Sequence, residues 1–259
     1  MILFTGHGSI YDEFKKYYEV ESISLRYTDN EEIIKKIYNC SIIIHNSACI
    51  KSQDPKDFCE NYLNTNKLIN IVKIVNPTIK IINLSSMSIL ESEFRYKNFN
   101  DMSDYSKSKY ISELFCLRQK TLKIINVRFS TIFYSYPGKD GLSSIGFDAV
   151  KYKRITLYNN GHDIRDFIPI KVAVKLLYQV AINNEAPNVI NIASGKCHCF
   201  KEFAYYLSKK IDNLTICYKN NNSANNVLSE FTDIHQILPN ISIEYNIFDE
   251  FDRYISSLS

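Results

Sequence analysis

The stretch Asp104-Tyr105-Ser106-Lys107-Ser108-Lys109 holds a phenol and an ammonium four positions apart, ahead of Tyr110, Leu114 and Leu117 at helical spacing. On a helix that spacing puts Tyr105 and Lys109 on one face. A fixed ammonium favours an ionised phenol, so the spacing predicts a Tyr105 pKa lowered toward neutrality. A tyrosine tuned in this way passes a proton to or from a carbonyl oxygen. Ser86, ending a strand-like run, supplies a hydroxyl for the same oxygen. Tyr11/Lys15, Tyr205/Lys209 and Tyr206/Lys210 share the spacing in a chain with 19 tyrosines, and read as solvated helix faces. What surrounds Tyr105 sets it apart.

The elements that must position this pair begin at the first residue. An apolar run over 1–5 leads into Gly6-His7-Gly8-Ser9-Ile10 and then an amphipathic helix over 11–18. Strand, glycine turn and helix together aim backbone N–H groups and a helix N-terminus at a dinucleotide pyrophosphate. Tyr11 stands where a third glycine would allow close helix–strand packing, and a simple tight turn is the competing reading. A second strand over 23–26 ends in Arg26, where an acidic residue would grip the ribose of NAD or an arginine the 2′-phosphate of NADP. Arg26 points to NADP(H), against the alternative of an exposed strand-end arginine. A helix over 29–38 follows, capped by Asp29.

The run over 40–48 is a buried strand closing on small residues, Asn46, Ser47 and Ala48, which let a flat cofactor approach the backbone. His45, at its end, reads as bonded to the backbone rather than as a base. A helix holding Asn61 and Thr65 runs to about Val75, which Pro77 ends. Buried strands over 79–84 and 122–129, a glycine-containing loop over 130–141, helices over 143–153, 200–211 and 247–257, and a strand over 189–193 complete the pattern. Strands alternating with helices predict an α/β fold.

Composition narrows the classes. The net charge of +3 gives no argument for nucleic acid or a membrane surface as partner. No apolar run has the length of a membrane span, and the charged segment over 11–20 does not read as a signal peptide. Seven scattered cysteines suit a reducing cytoplasm. Cys197-His198-Cys199 lacks a second ligand pair, so no metal is expected. The Asn-rich run over 220–226 reads as a mobile loop. The abundance of Asn, Ile and Lys fits an AT-rich genome, as of a bacterium making surface polysaccharide.

In their order these pieces resemble the extended short-chain dehydrogenase/reductase family, in its nucleotide-sugar epimerase, dehydratase and reductase branch. Thr5 to Ile10 resembles its glycine turn, Ile43 to Ala48 its fourth-strand cofactor motif, and Leu84-Ser85-Ser86 its catalytic serine strand. Tyr105 to Lys109 matches the Tyr-x-x-x-Lys signature, with Glu113 four residues beyond. Val127-Arg128-Phe129 resembles the strand leading to the nicotinamide loop. Arg165-Asp166-Phe167 resembles the motif whose arginine meets the substrate diphosphate. The fourth-strand motif arrives early, so one strand–helix unit is missing on the adenine side, and Leu90 stands where the family often has tyrosine.

The resemblance implies a Rossmann-like, doubly wound, mostly parallel sheet over 1–135. It further implies a small α/β substrate lobe over 136–259, with 155–195 partly returning to the sheet. It implies Ser86, Tyr105 and Lys109 as catalytic. Gly6, Gly8, Ser9, Ile10, Arg26, Asn46, Ser47, Ala48, Leu84 and Phe129, with Tyr105 and Lys109, would bind the cofactor. Ser86, Met87, Ser88 and Arg165 would meet a nucleotide-diphosphate sugar. The family's helices over 61–75 and 105–120 commonly form a homodimer interface. Met87-Ser88 replaces the Asp-Glu pair of the dehydratases and the cysteine of the epimerase-reductases. What remains is ketone reduction or C4 epimerisation by oxidation and re-reduction. We expect NADP(H)-dependent reduction of a keto nucleotide sugar, with NADP(H) favoured over NAD(H). The alternatives are an NAD-dependent 4-epimerase and a catalytically silent, cofactor-binding relative.

Overall fold

The computed structural model describes residues 1–50, 52–91, 95–220 and 244–258. From Asn221 on, the Asn-rich run lies outside the described residues. The chain forms two compact units, Met1–Phe129 with Val174–Ile192, and Ser130–Ala173 with Ala193–Ser259. The sequence expectation had put the boundary at 135 and the returning segment within 155–195.

In chain order, the first unit carries β1 (Ile2–Thr5), α1 (Ser9–Phe14), β2 (Glu21–Ile23), α2 (Asn30–Tyr38), β3 (Ile42–His45), α3 (Cys59–Val75), β4 (Lys80–Ser86), α4 (Asp104–Leu117) and β5 (Lys123–Phe129). The second unit takes over with β6 (Thr131–Phe133), α5 (Gly141–Tyr152), β7 (Arg154–Tyr158) and β8 (Ile164–Pro169). Helix α6 (Ile170–Ile182) leads back to β9 (Val189–Ile192). The chain ends with β10 (Cys197–Cys199), α7 (Phe200–Ser208), β11 (Thr215–Lys219) and α8 (Ile247–Ser257).

The first unit is built on a six-stranded sheet in the order β2-β1-β3-β4-β5-β9, every pairing parallel. Strands buried on both faces read as unbroken apolar runs, and Ile42-Ile43-Ile44 and Ile81-Ile82 are of that kind. Leu3, Ile43, Ile81 and Ile124 from the sheet pack with Ile33 and Ile37 of α2 and Leu68 and Val72 of α3. The Asp29 carboxylate caps α2 by accepting from the Glu32 N–H at 2.9 Å. Lys80, buried in β4, donates to the carbonyls of Val180, Ala181 and Asn183, where α6 runs out of partners for its last C=O groups.

Two expected elements shift. Helix α1 begins at Ser9, directly after the glycine turn, and stops at Phe14 rather than reaching residue 18. Strand β2 stops at Ile23, because Ser24 closes a turn: its hydroxyl accepts from the Tyr27 N–H and its carbonyl from the Thr28 N–H. Arg26 therefore sits on a turn, not on a strand end.

A buried ion pair ties α4 to the centre of the sheet. Glu113, with no exposed surface, receives the Arg128 guanidinium of β5 through Nε, at 3.1 Å from each carboxylate oxygen, and through Nη2. Ser85 of β4 donates to Oε2 at 2.6 Å, and Tyr96, from the loop between β4 and α4, donates to Oε1 at 2.7 Å.

The second unit has a three-stranded sheet, β10-β8-β6, and a parallel pair, β11-β7. Its core is aromatic: Phe167 meets Phe200 and Phe203 edge-on, and Phe251 meets Phe133 and Phe203. Asp166, buried on β8, is satisfied by the Ser130 and Ser194 hydroxyls and by the N–H groups of Ser194 and Lys196.

Breaking the Glu113 pair leaves a guanidinium buried without its carboxylate. Glu113→Ala is expected to lower the unfolding free energy by about 3–5 kcal/mol, read from urea denaturation. A loss below about 1 kcal/mol would contradict this reading of the pair.

Candidate active site

The glycine turn is shaped by close approach. Gly6 leaves β1 with φ of +93°, a left-handed conformation that suits glycine, and a Cβ there would lie 3.0 Å from the Ser47 Cα. A Cβ on Gly8, at the start of α1, would meet Asn46 Nδ2 at 3.2 Å. The turn and the segment after β3 thus form a bare backbone cradle. It opens into a cavity of about 270 Å³ lined by Gly6, His7, Gly8, Ser24, Arg26 and Tyr27 on one side, and by residues 46–49, Asn61 and Asn64 on the other. A dinucleotide fits these residues: N–H groups and a helix start at the turn, small side chains facing it, and a guanidinium at the far end.

Of the expected cofactor residues, Gly6, Gly8, Arg26, Asn46, Ser47 and Ala48 come together at this cavity. Ser9 and Ile10 form the first turn of α1, Leu84 lies within β4 and Phe129 ends β5, and none of the four is among its lining. Sequence reasoning missed His7, Ser24, Tyr27, Cys49 and Asn64. For Asn64 a signal existed, since it lies on the same helix, α3, as Asn61 and Thr65. Asn61 itself holds the segment after β3 in place: its side chain binds both the N–H and the carbonyl of Cys49, and donates to the Ser108 hydroxyl at 2.8 Å. That last contact joins the cofactor wall to the helix bearing Tyr105.

The catalytic candidates meet at the end of β4 and the start of α4. Ser103 caps α4 by accepting from the Ser106 N–H, and the helix places Tyr105 and Lys109 one turn apart. The Ser86 hydroxyl lies close enough to the Tyr105 phenol to favour its ionised form. Lys109, buried, donates to the Leu84 carbonyl at 2.7 Å. This arrangement corrects the expected tyrosine tuning. Burial pushes the Tyr105 phenol up to about 12, only partly opposed by the nearby Ser86 hydroxyl. The same burial pushes Lys109 down to about 8. The ammonium is 5.9 Å from the centre of the Tyr105 ring and is directed to a carbonyl, so it does not offset the desolvation of a phenolate. Burial thus favours the neutral phenol at Tyr105.

Beyond Ser86 the hydroxyls continue. Ser86 donates to Ser88 at 2.9 Å, the buried Ser106 donates to Ser88 at 3.0 Å, and Ser106 meets the exposed Ser103 at 3.0 Å. Met87, beside Ser86, is buried.

His45 departs from the backbone-bonded reading. It is buried between two threonine hydroxyls, Thr5 Oγ1 at 2.6 Å and Thr65 Oγ1 at 2.9 Å, and so locks β3 to β1 and α3. Burial first, and the Lys109 charge second, push it down to about 3. In the second unit, Arg165 lies on β8 opposite His198 of β10, and its guanidinium donates to the Ile164 carbonyl. His198 itself pairs with Glu202 at 2.8 Å. Among the described residues, no group of three or more His, Cys, Asp or Glu side chains is gathered to hold a metal, and no helix is long and apolar enough to cross a membrane.

The neutral His45 makes a pH prediction. An unfolded histidine takes up a proton below about 6.5, whereas the folded one resists down to about 3, so the unfolded chain binds the extra proton between them. Stability from this group is complete above pH 6.5 and erodes as pH falls toward 3. His45→Asn is expected to flatten the slope of the urea midpoint between these limits, and an unchanged slope would contradict it.

Comparison with known proteins follows this geometry. The sequence model of the NAD dependent epimerase/dehydratase family matches residues 5–193. No curated protein matches the chain in sequence. Among solved structures, TunA, an NAD-dependent NDP-hexosamine 5,6-dehydratase involved in tunicamycin biosynthesis, superposes with a TM-score of 0.81 at 16% identity, covering 98% of this chain and 96% of its own. The dTDP-glucose 4,6-dehydratase of Bacillus anthracis, in complex with NAD, gives 0.80 at 17% identity, covering 98% and 95%. RMD from Pseudomonas aeruginosa, complexed with NADPH, gives 0.80 at 15% identity, covering 99% and 98%. At these identities the likeness is one of fold, and the family match carries the assignment: this chain belongs to the NAD-dependent epimerase/dehydratase family, whose members are nicotinamide-dependent oxidoreductases and epimerases.

Proposed function

We propose that this protein reduces the carbonyl of a keto nucleotide-diphosphate sugar with NADPH. The observation that carries the reading is Tyr105 and Lys109 one turn apart on α4 beside Ser86 at the end of β4, where Met87 and Ser88 follow and neither serves as a second acid or base. In this reading Ser86 and Tyr105 hold the carbonyl oxygen. Tyr105 gives it a proton as the carbon is reduced. Bound NADPH supplies the hydride. Lys109, anchored on Leu84, orients the nicotinamide ribose.

Reduction consumes one proton per turnover, whereas a 4-epimerase returns the proton it takes. The linked hydroxyls of Ser86, Ser88, Ser106 and the exposed Ser103 support the first, because with a rotation of the hydroxyls they would pass a proton from solvent to Ser86, beside Tyr105. Arg26 supports NADP(H): its ion pair with Glu60 is 3.6 Å long and about 40% exposed on both sides, so a 2′-phosphate can take the carboxylate's place. RMD, of similar fold, was solved with NADPH, while the Bacillus anthracis dehydratase was solved with NAD. Arg165 is assigned to the substrate's diphosphate, for which its planar fork is suited, and the second unit to the nucleotide sugar. We further assign a homodimer through α3 and α4, where Leu63 and Ile74 of α3 are exposed. The all-thiol cysteine set fits a cytoplasmic enzyme.

The test is the loss of reduced-nicotinamide absorbance on adding UDP- or dTDP-linked 4-keto sugars. Tyr105→Phe is expected to lower kcat by roughly 10²–10⁴-fold while NADPH affinity holds. Interconversion of C4 epimers without net NADPH consumption would overturn the reductase reading.

A further inference from the structure

The cofactor cavity has a wall that the glycine turn does not account for. Strand β2 is the edge of the sheet, and among the described residues no strand pairs with its outer side. A purine extending from a pyrophosphate at the turn toward this edge finds no further βα unit to cover it. Among the described residues, the surface offered there is the turn after β2, which carries Ser24, Arg26 and Tyr27 into the cavity lining.

Tyr27 is 83% exposed, and the backbone under it is fixed. Leu25, two residues earlier, is buried in the core, and its carbonyl accepts from Lys67 of α3 at 2.9 Å. The Tyr27 N–H is held by the Ser24 hydroxyl at 3.3 Å. The Arg26 guanidinium lies over the ring, its carbon 5.9 Å from the ring centre. A large aromatic ring open to water on a backbone that is held in place is a platform for a flat, apolar ring.

We propose that Tyr27 is the adenine platform of this enzyme, stacking on the purine in place of the wall the shortened sheet lacks, with Arg26 beside it for the ribose phosphate. Ser24 and Asn64 line the same cavity. The inference rests on the nicotinamide-dinucleotide reading of the cavity and is independent of which sugar is the substrate.

The test is calorimetric titration of the full-length protein with NADPH, NADH, ADP-ribose and nicotinamide mononucleotide. Base–aromatic stacking has a magnitude that makes Tyr27→Ala bind ADP-ribose roughly 5- to 100-fold more weakly, with Tyr27→Phe close to wild type and nicotinamide mononucleotide unaffected. The exposed position keeps the fold of Tyr27→Ala intact, which circular dichroism checks. Equal ADP-ribose affinity in wild type and Tyr27→Ala would overturn the platform alone. A wild-type protein that binds neither NADPH nor NADH would overturn the platform together with the cofactor reading.

Discussion

The buried carboxylate of Glu113 is the constraint on which the site depends. It gathers a guanidinium from β5, a serine from β4, a tyrosine from the loop between β4 and α4, and the helix that carries it. A charge without solvent contact is tolerated only when its partners are geometrically fixed, so the pair sets how α4 lies against β4 and β5. Ser86 follows Ser85 on β4, and Lys109 lies one turn before Glu113 on α4. Fixing Glu113 therefore fixes the hydroxyl, phenol and ammonium relative to one another.

That rigidity has an electrical consequence. In the dry space between β4 and α4, a phenolate and an ammonium are both disfavoured, and the phenol stays protonated while the lysine leans toward neutrality. His45, within reach of the Lys109 charge, obeys the same rule. A site that holds its proton on tyrosine at rest is set for delivering it, which is the direction a carbonyl reduction needs. In the proposed reduction, the serine hydroxyls that end at the exposed Ser103 would return the proton that is delivered.

Much of this was legible in the sequence, and the limits have physical causes. Unbroken isoleucine runs announce strands buried on both faces, Asp29 announces a cap, and the four-residue interval from Tyr105 to Lys109 announces one helix face. Spacing gives proximity but not dielectric, so the direction of the Tyr105 shift read from the interval was the reverse of what burial produces. The partners of His45 come from positions 40 residues before and 20 after it, which only the fold brings together. Arg26 was found and its setting was not: a serine able to bond the backbone ends β2 early and turns a strand-end arginine into a loop arginine beside Tyr27.

The central claim is a dissociable NADPH serving a donor tyrosine. The measurement that tests it most directly is parallel calorimetric titration of the purified protein with NADPH and NADH, after its absorbance has been checked for retained nucleotide. The account predicts no retained cofactor and an NADPH affinity at least about tenfold above that for NADH, the equivalent of about 1.4 kcal/mol from one phosphate–guanidinium contact. Protein that purifies with NAD bound, or that prefers NADH, would contradict it.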